Sequence, residues 1–199
     1  MPTTWFFDGG GTSVDCAIMV LSGVGGSDAA VDALGQAWKA ALHELQIDTW
    51  HSTDYFRRRD RGTKPEFPVA LANVIGRLIF KELNCVSFAA DKAALEAVRI
   101  QHPESVPSVE RMLMNLCFRG LGVSKEDIGQ HARVRIVFDR GEPFIRHLKS
   151  SWQAGRTELK RAKHGGWPLQ VKEMEPANSK DHAGLQVGRP TVLAHPMPL

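Results

Sequence analysis

The chain has 199 residues, of which 43% are hydrophobic and 24% charged, and its formal net charge is +3. This length predicts a single domain, because domains usually contain about 100–200 residues. No apolar run approaches the roughly 20 residues of a membrane-spanning helix, which argues against a membrane protein. The first residues lack the basic start and apolar core of a secretory signal, so a cytoplasmic protein is predicted.

Three cysteines bear on the cellular compartment. Cys16, Cys85 and Cys117 all lie in apolar segments and show no metal-ligand spacing. An odd number of such residues favours buried thiols over a disulfide framework, and buried thiols are typical of a reducing compartment. The cysteines therefore agree with the cytoplasmic interpretation.

The first predicted strand carries an acid into a glycine-rich turn. Residues 5–7 are aromatic, Asp8 follows them, and the glycines at 9–11 precede a second apolar run at 16–21. Glycine lets a ligand approach the backbone, so Asp8 is a candidate for holding a metal ion or lying beside a phosphate. An ordinary Asp-Gly hairpin turn is the alternative interpretation.

The elements that follow alternate between helix and strand. In chain order, periodicity and capping residues predict a loop at 23–26, a helix from Ser27, a strand at 47–51, a helix from Pro68, a strand at 85–89, helices at 91–98 and 108–122, a strand at 133–138, a helix from Pro143, a strand at 169–174 and a helical start at 183–187. This order predicts an α/β fold with a central mixed sheet flanked by helices. Residues 1–187 form the predicted domain, and the proline-rich segment 188–199 is predicted to be an irregular tail.

Four acids lie at or near the ends of predicted strands. Asp8 leaves the first strand, Asp139 ends a later one, Asp54 follows the strand at 47–51, and Glu142 stands near a helix start. Hard divalent cations prefer carboxylate oxygens, and two-metal phosphodiester chemistry needs several carboxylates around one point. We therefore predict a catalytic site of these four acids, in which Asp8, Asp139 and Asp54 hold Mg²⁺ or Mn²⁺. Helix capping is the alternative role for Asp54 and Glu142.

A basic run with neighbouring aromatic residues is a candidate nucleic-acid contact. Arginine donates bidentate hydrogen bonds to phosphates, and aromatic rings such as Tyr55 and Phe56 can stack on bases. The predicted contacts are Arg57, Arg58, Arg59 and Arg61. A solvated loop is the alternative, and a second basic segment at 156–164 favours nucleic acid modestly. His51 is interpreted as a structural residue rather than a metal ligand or proton shuttle.

Three separated stretches form an ordered set, namely Phe6-Phe7-Asp8-Gly9-Gly10-Gly11-Thr12, Trp50-His51-Ser52-Thr53-Asp54-Tyr55 and Val137-Phe138-Asp139-Arg140-Gly141-Glu142-Pro143-Phe144. Together with Leu185-Gln186 they resemble the domain-of-unknown-function 3800 family over nearly the whole chain. The resemblance implies a ribonuclease H-like fold, acidic ligands for a divalent metal and a suspected nuclease activity. It matches Asp8 to the first-strand acid, Asp54 to the acid after the histidine-containing strand and Asp139 to the acid that ends the later strand.

Two positions depart from the family pattern. The family commonly has an acid directly after the first-strand aspartate, where this chain has Gly9. It also commonly continues Leu-Gln with Ala-Asp and an apolar helix, whereas here Val187 precedes Gly188-Arg189-Pro190, so the last carboxylate is absent. A one-base shift in reading frame at Gly188 can restore Ala-Asp. We therefore hypothesise that the tail is a frameshift product, which coding DNA without a restoring downstream frame would refute.

These features predict a metal-dependent nuclease-like protein that acts on nucleic-acid phosphodiesters and is impaired by loss of the last carboxylate. The alternative is a non-catalytic module that binds nucleic acid or protein on a degenerate nuclease fold. The stretch at 8–12 also resembles the phosphate-binding hairpin of the sugar-kinase and actin-like ATPase superfamily. Those proteins need two such domains, and this chain has the length of one, so a fragment of such an ATPase is the minor alternative. The sequence leaves the oligomeric state open.

Overall fold

The computed structural model describes residues 3–13, 15–50, 69, 72–74, 76–77, 82–123, 134–141, 144–145, 147–148, 150, 152–153, 157, 171–178 and 180–188. Its strands are β1 (Thr3–Gly10), β2 (Ile18–Ser27), β3 (Leu83–Asp91), β4 (Val134–Asp139) and β5 (Val171–Ala177). Its helices are α1 (Asp28–Glu44), α2 (Lys92–Gln101), α3 (Val109–Val123) and α4 (Ala183–Gly188). Helical backbone also occurs at the described positions within 69–77 and 145–157. Within these ranges no helix combines the length and apolarity that crossing a membrane requires.

The five strands form one mixed sheet in the order β3-β2-β1-β4-β5. β2 is antiparallel to both β1 and β3, whereas β4 is parallel to both β1 and β5. The predicted α/β fold with a central mixed sheet is confirmed. The strand that carries Asp8 is the middle strand, so both of its backbone edges are paired.

Side chains along β1 alternate between two apolar cores, as the pleat of a strand requires. Trp5 and Phe7 pack on one face with α3 and the helical segment that follows residue 144. Phe6 packs on the other face with Leu34 of α1 and Leu185 of α4. The sheet is therefore covered on both faces at its centre.

The glycines at 23–26 belong to β2, so the loop predicted there is wrong. A Cβ atom at Gly23 would lie 2.4 Å from Cε1 of Phe7, and one at Gly25 would lie 2.5 Å from Cδ2 of Trp5. These glycines leave room for the aromatic rings of β1 on the neighbouring strand. Their composition is typical of a loop, but their role here is packing.

α1 begins as predicted. The Ser27 hydroxyl oxygen accepts a hydrogen bond from the Ala30 amide (3.2 Å), and the buried stripe includes Leu34 and Trp38. The strand predicted at 47–51 is wrong over its described residues, 47–50, which have no strand pairing. The Trp50 amide instead donates to the side chain of Gln186 (3.0 Å).

Several later predictions are confirmed with small changes in bounds. β3 extends past its predicted bounds at both ends, β5 ends at Ala177 rather than at 174, α3 ends one residue past Gly122, and α4 contains the predicted helical start. Cys117 is buried, but Cys16 is half-buried and Cys85 is exposed, so the prediction of buried thiols is wrong for Cys85. Cys85 lies on the edge strand of the described sheet, where one neighbouring strand is absent. The segment 189–199 of the predicted tail lies outside the described residues.

Candidate functional site

Asp8 and Asp139 lie side by side on neighbouring parallel strands. The register pairs Phe7 of β1 with Phe138 of β4, and each aspartate follows its paired phenylalanine directly. Both residues belong to their strands. Adjacent strands lie about 4.8 Å apart, so the two acids are neighbours at the carboxyl ends of β1 and β4.

The two acids also share one face of the sheet. Phe6 and Val137, each two residues earlier, are paired with each other and belong to the core beneath α1 and α4. Because side chains two apart on a strand point the same way, Asp8 and Asp139 lie on that face too. Asp8 is 0% exposed, whereas Asp139 is half-buried. Asp8 is therefore the inner acid of the pair, and Asp139 is the one closer to solvent.

Backbone amides help to orient both carboxylates. The Gly9 amide donates to Oδ1 of Asp8 (2.8 Å), and the Gly141 amide donates to Oδ1 of Asp139 (3.3 Å). The second bond spans two residues and forms the turn that aspartate commonly makes at the end of a strand. These bonds fix the direction of one oxygen of each carboxylate.

The donor set fits a divalent cation. Two like charges at directly adjacent positions destabilise each other, and a cation between them removes that repulsion. Mg²⁺ usually keeps several waters and is bound through one or two carboxylates, a number that Asp8 and Asp139 supply. Within the described parts of the chain, no group of three metal-ligating side chains comes together. A third protein ligand for the cation would have to come from a residue outside the described parts of the chain.

Two serine hydroxyls continue the row of polar residues across the sheet. Ser22 of β2 is the register partner of Asp8, and Ser87 of β3 is the partner of Ser22. Their hydroxyl oxygens are 2.7 Å apart, and Ser87 is exposed. The row from Asp139 to Ser87 thus crosses four strands and becomes open to solvent at the β3 edge. Sequence reasoning missed both serines, because they are brought together only by the pairing of β2 with β3, 65 residues apart along the chain.

The turn after β1 is held by a lysine from the helix that follows β3. Nζ of Lys92, the first residue of α2, donates to the carbonyl oxygens of Gly11 (2.9 Å) and Ser13 (2.6 Å). Gly11 has a φ of +69°, in the left-handed region that favours glycine. Sequence reasoning missed Lys92, since an isolated lysine whose described hydrogen-bond partners are distant backbone carbonyls leaves no pattern in the sequence.

The other predicted site residues lie outside the described residues. They are Asp54, Glu142, His51, Arg57, Arg58, Arg59 and Arg61. Of the four acids predicted to converge, the structure thus describes two, and these two are adjacent. The convergence of Asp54 and Glu142 with them stays a prediction.

A cavity of about 820 Å³ lies at the opposite end of β1 from the acids. Its lining includes Thr4 and Phe6 of β1, Asp28 of α1 and Arg135 of β4. Thr4 donates to Asp28 (3.1 Å), and Arg135 pairs with Glu175, so these polar groups already have partners within the protein. We place the candidate site at Asp8 and Asp139 rather than here, because only the acids form an arrangement with a defined chemistry.

Comparisons of the chain with protein-family models, with curated proteins and with solved structures give no match. The resemblance to the domain-of-unknown-function 3800 family therefore stays a prediction made from the motifs.

Proposed function

We propose that this chain is a divalent-metal-dependent nuclease-like protein with a ribonuclease H-like fold, acting on the phosphodiester bonds of nucleic acid. One observation carries the proposal: Asp8 and Asp139 stand next to each other on the same face of a mixed sheet, at the carboxyl ends of parallel strands. Open α/β sheets commonly bind ligands at the carboxyl ends of their strands. Carboxylates are also the ligands that Mg²⁺ and Mn²⁺ prefer.

The two acids have distinct tasks in this proposal. A bound divalent cation supplies Lewis-acid polarisation of a phosphoryl oxygen. Asp8, buried and held by the Gly9 amide, gives the cation a fixed ligand that solvent does not compete for. Asp139, half-buried, gives a second ligand on the solvent side, where substrate arrives. The exposed hydroxyl of Ser87 lies along the same row and can donate a hydrogen bond to a sugar or phosphate oxygen.

The arginine run contributes binding rather than chemistry. Arg57, Arg58, Arg59 and Arg61 are proposed to neutralise phosphates on either side of the cleaved bond. Each phosphate contact releases counterions, so binding through these residues weakens as salt rises. Asp54 and Glu142 are proposed to complete the site as further acids.

Cleavage assays with aspartate variants test the proposal. The full chain is incubated with labelled single- and double-stranded DNA and RNA in the presence of Mg²⁺ or Mn²⁺. We expect metal-dependent cleavage, and we expect Asp8→Asn and Asp139→Asn each to lower it by at least about 100-fold, because each removes a charged ligand. Asp181→Asn is the matched control, since Asp181 is an exposed acid that precedes α4. Equal activity in all four proteins would contradict the metal site.

A non-catalytic binding module is the second candidate. The observation that favours it is that the described residues supply two carboxylates but no group of three. Salt-sensitive binding of nucleic acid without cleavage, unchanged in Asp8→Asn, would support this function and oppose the first. Turnover of ATP in the presence of a sugar would contradict both candidates.

A further inference from the structure

We propose that Lys92 is a positioning residue for the Asp8 site: its ammonium group fixes the turn that follows Asp8 and so holds that carboxylate ready for a divalent cation. This inference rests on the proposed metal function. It assigns a site role to a residue on a different element from either acid. Lys92 is the first residue of α2, whereas Asp8 lies on the middle strand of the sheet.

The contact between Lys92 and the turn is made by three hydrogen bonds. Nζ donates to the carbonyl oxygens of Gly11 and Ser13, at 2.9 and 2.6 Å. The backbone amide of Lys92 donates to the carbonyl oxygen of Ala17 at 2.9 Å. The lysine therefore joins both sides of the turn, and two of its three ammonium protons are used there.

The backbone of Lys92 is itself held in place. Asp91, the preceding residue, is the register partner of Ile18 at the start of β2. The Asp91 side chain also caps α2 by accepting from the Ala94 amide at 2.9 Å. Strand pairing on one side and helix capping on the other leave the lysine stem little freedom at its root. The ammonium group is therefore attached to a backbone position that is itself well fixed.

The turn transmits this restraint to Asp8 over a short path. A Cβ atom at Gly11 would lie 1.9 Å from the Ile18 carbonyl oxygen, so the chain folds back tightly there. Two residues before Gly11, the Gly9 amide donates to Oδ1 of Asp8. Fixing the Gly11 carbonyl restrains the peptide units between Gly9 and Gly11. Gly9 and Gly10 also pair with Leu21 and Val20 of β2, and the strand pairing and the lysine together fix the direction of the Gly9 amide and hence the orientation of the carboxylate.

Charge and geometry make opposite predictions for removal of the ammonium group. A positive charge close to a cation site repels the cation, so on charge alone removing it tightens metal binding. A positioning role predicts the reverse, because a carboxylate that has lost its restraint must be ordered again when the cation binds. The direction of the change in metal affinity therefore separates the two effects.

The test uses the full chain with Lys92→Met, Lys92→Arg and the control Lys39→Met, which removes an exposed lysine on α1. Amide hydrogen exchange at residues 9–13 is measured without metal, and Mn²⁺ affinity is measured by electron paramagnetic resonance. We expect Lys92→Met to raise exchange at these amides at least about 10-fold and to weaken Mn²⁺ binding about 5- to 10-fold, amounts within the range that one ordinary intramolecular hydrogen bond contributes. Lys92→Arg should give exchange rates and a Mn²⁺ affinity between those of the unaltered chain and those of Lys92→Met, since arginine also donates to carbonyl oxygens.

The following results would contradict the positioning role of Lys92 or the metal site itself. Unchanged exchange, or tighter Mn²⁺ binding by Lys92→Met, would overturn the positioning role while leaving the metal site in place. Absence of Mn²⁺ binding by the unaltered chain would contradict the proposed function and this role of Lys92 together. If Lys92→Met does not fold, Lys92→Arg decides, because intermediate exchange with weaker binding supports the role and wild-type behaviour in both readouts opposes it.

Discussion

The thiol of Cys117 lies in the core between α3 and β2. Its Sγ donates to the Leu21 carbonyl oxygen at 3.7 Å, and the residue is 1% exposed. Burial raises the pKa of Cys117 to about 12, because the thiolate would lose its hydration there. The folded state therefore holds this thiol in its protonated form well above the pH at which the unfolded chain ionises it.

This difference predicts a loss of stability at alkaline pH. Below about pH 9 the thiol is protonated in both states, whereas between about pH 9 and 12 only the unfolded state ionises. The free energy of unfolding should then fall by up to about 1.4 kcal/mol per pH unit on account of Cys117. Urea unfolding at pH 8, 9 and 10 measures the slope, and Cys117→Ala should reduce it. Equal slopes in the two proteins would refute the assignment to this residue.

The two described acids of the site could be predicted from sequence because each directly follows the apolar run of its strand. A local pattern is enough to identify such a position, and it places the residue towards the carboxyl end of its strand. Ser22, Ser87 and Lys92 gave no such signal, since their roles depend on partners 65 to 81 residues away along the chain. Pairings of that range depend on the complete topology, which local pattern does not determine.

Among the elements, β2 shows how a glycine-rich segment becomes a strand. Gly23 and Gly25 lie beneath the rings of Phe7 and Trp5, and the strand continues through both to Ser27. Gly35 of α1, in contrast, has nothing within 4 Å of the position that a Cβ atom would take. Glycine therefore makes room for aromatic rings in β2, whereas in α1 it only lowers the stability of the helix.

Two alanine substitutions separate these cases. Gly23→Ala should lower the free energy of unfolding by about 1–3 kcal/mol, because the new methyl group meets the Phe7 ring. Gly35→Ala should raise it by about 0.5–1 kcal/mol, since alanine is the better helix former and has open space. Urea unfolding followed by circular dichroism measures both. Destabilisation by Gly35→Ala, or no effect of Gly23→Ala, would contradict the packing described for these elements.

Helix prediction succeeded where several local signals agreed. For α1, Ser27 supplies the cap, Asp28 stands in the first turn, and the apolar residues recur at helical spacing. The strand prediction at 47–51 rested on residue types alone, and residues 47–50 turned out to be placed by contacts such as that of Trp50 with Gln186. That contact spans most of the chain, so no local pattern encodes it.

For the molecule as a whole, Gln186 joins parts of the chain that are far apart in sequence. Its Oε1 accepts from the Trp38 indole nitrogen and from the Trp50 amide, each at 3.0 Å. The side chain is buried at 6% exposure, and α4 packs so closely on β1 that a Cβ atom at Gly184 would lie 2.2 Å from the Phe6 ring. The side-chain amide of Gln186 therefore connects α4 to α1 and to the segment that follows α1.

Removing this amide should weaken the whole fold. Gln186→Leu replaces the amide by an apolar side chain of similar size and removes the acceptor from two donors, so the free energy of unfolding should fall by about 1–3 kcal/mol. Gln101→Leu is the control, because Gln101 is exposed at the end of α2 and its loss should change stability by less than about 0.5 kcal/mol. Urea unfolding followed by tryptophan fluorescence measures both variants. A control-sized effect of Gln186→Leu would show that this buried amide does not help to hold the fold together.

The register of β1 has a kinetic consequence. Thr3 pairs with Ser27 in the β1–β2 hairpin, but it also pairs with Val134, which is much further along the chain. The two acids lie on the β1–β4 interface. Closing a long loop costs more chain entropy than closing a short one, and distant pairings form slowly. We therefore expect the hairpin to form first and the two carboxylates to meet only when β4 docks. A nascent or partly folded chain would carry the glycine turn without the two adjacent carboxylates, so the proposed metal site would form only when the sheet is complete.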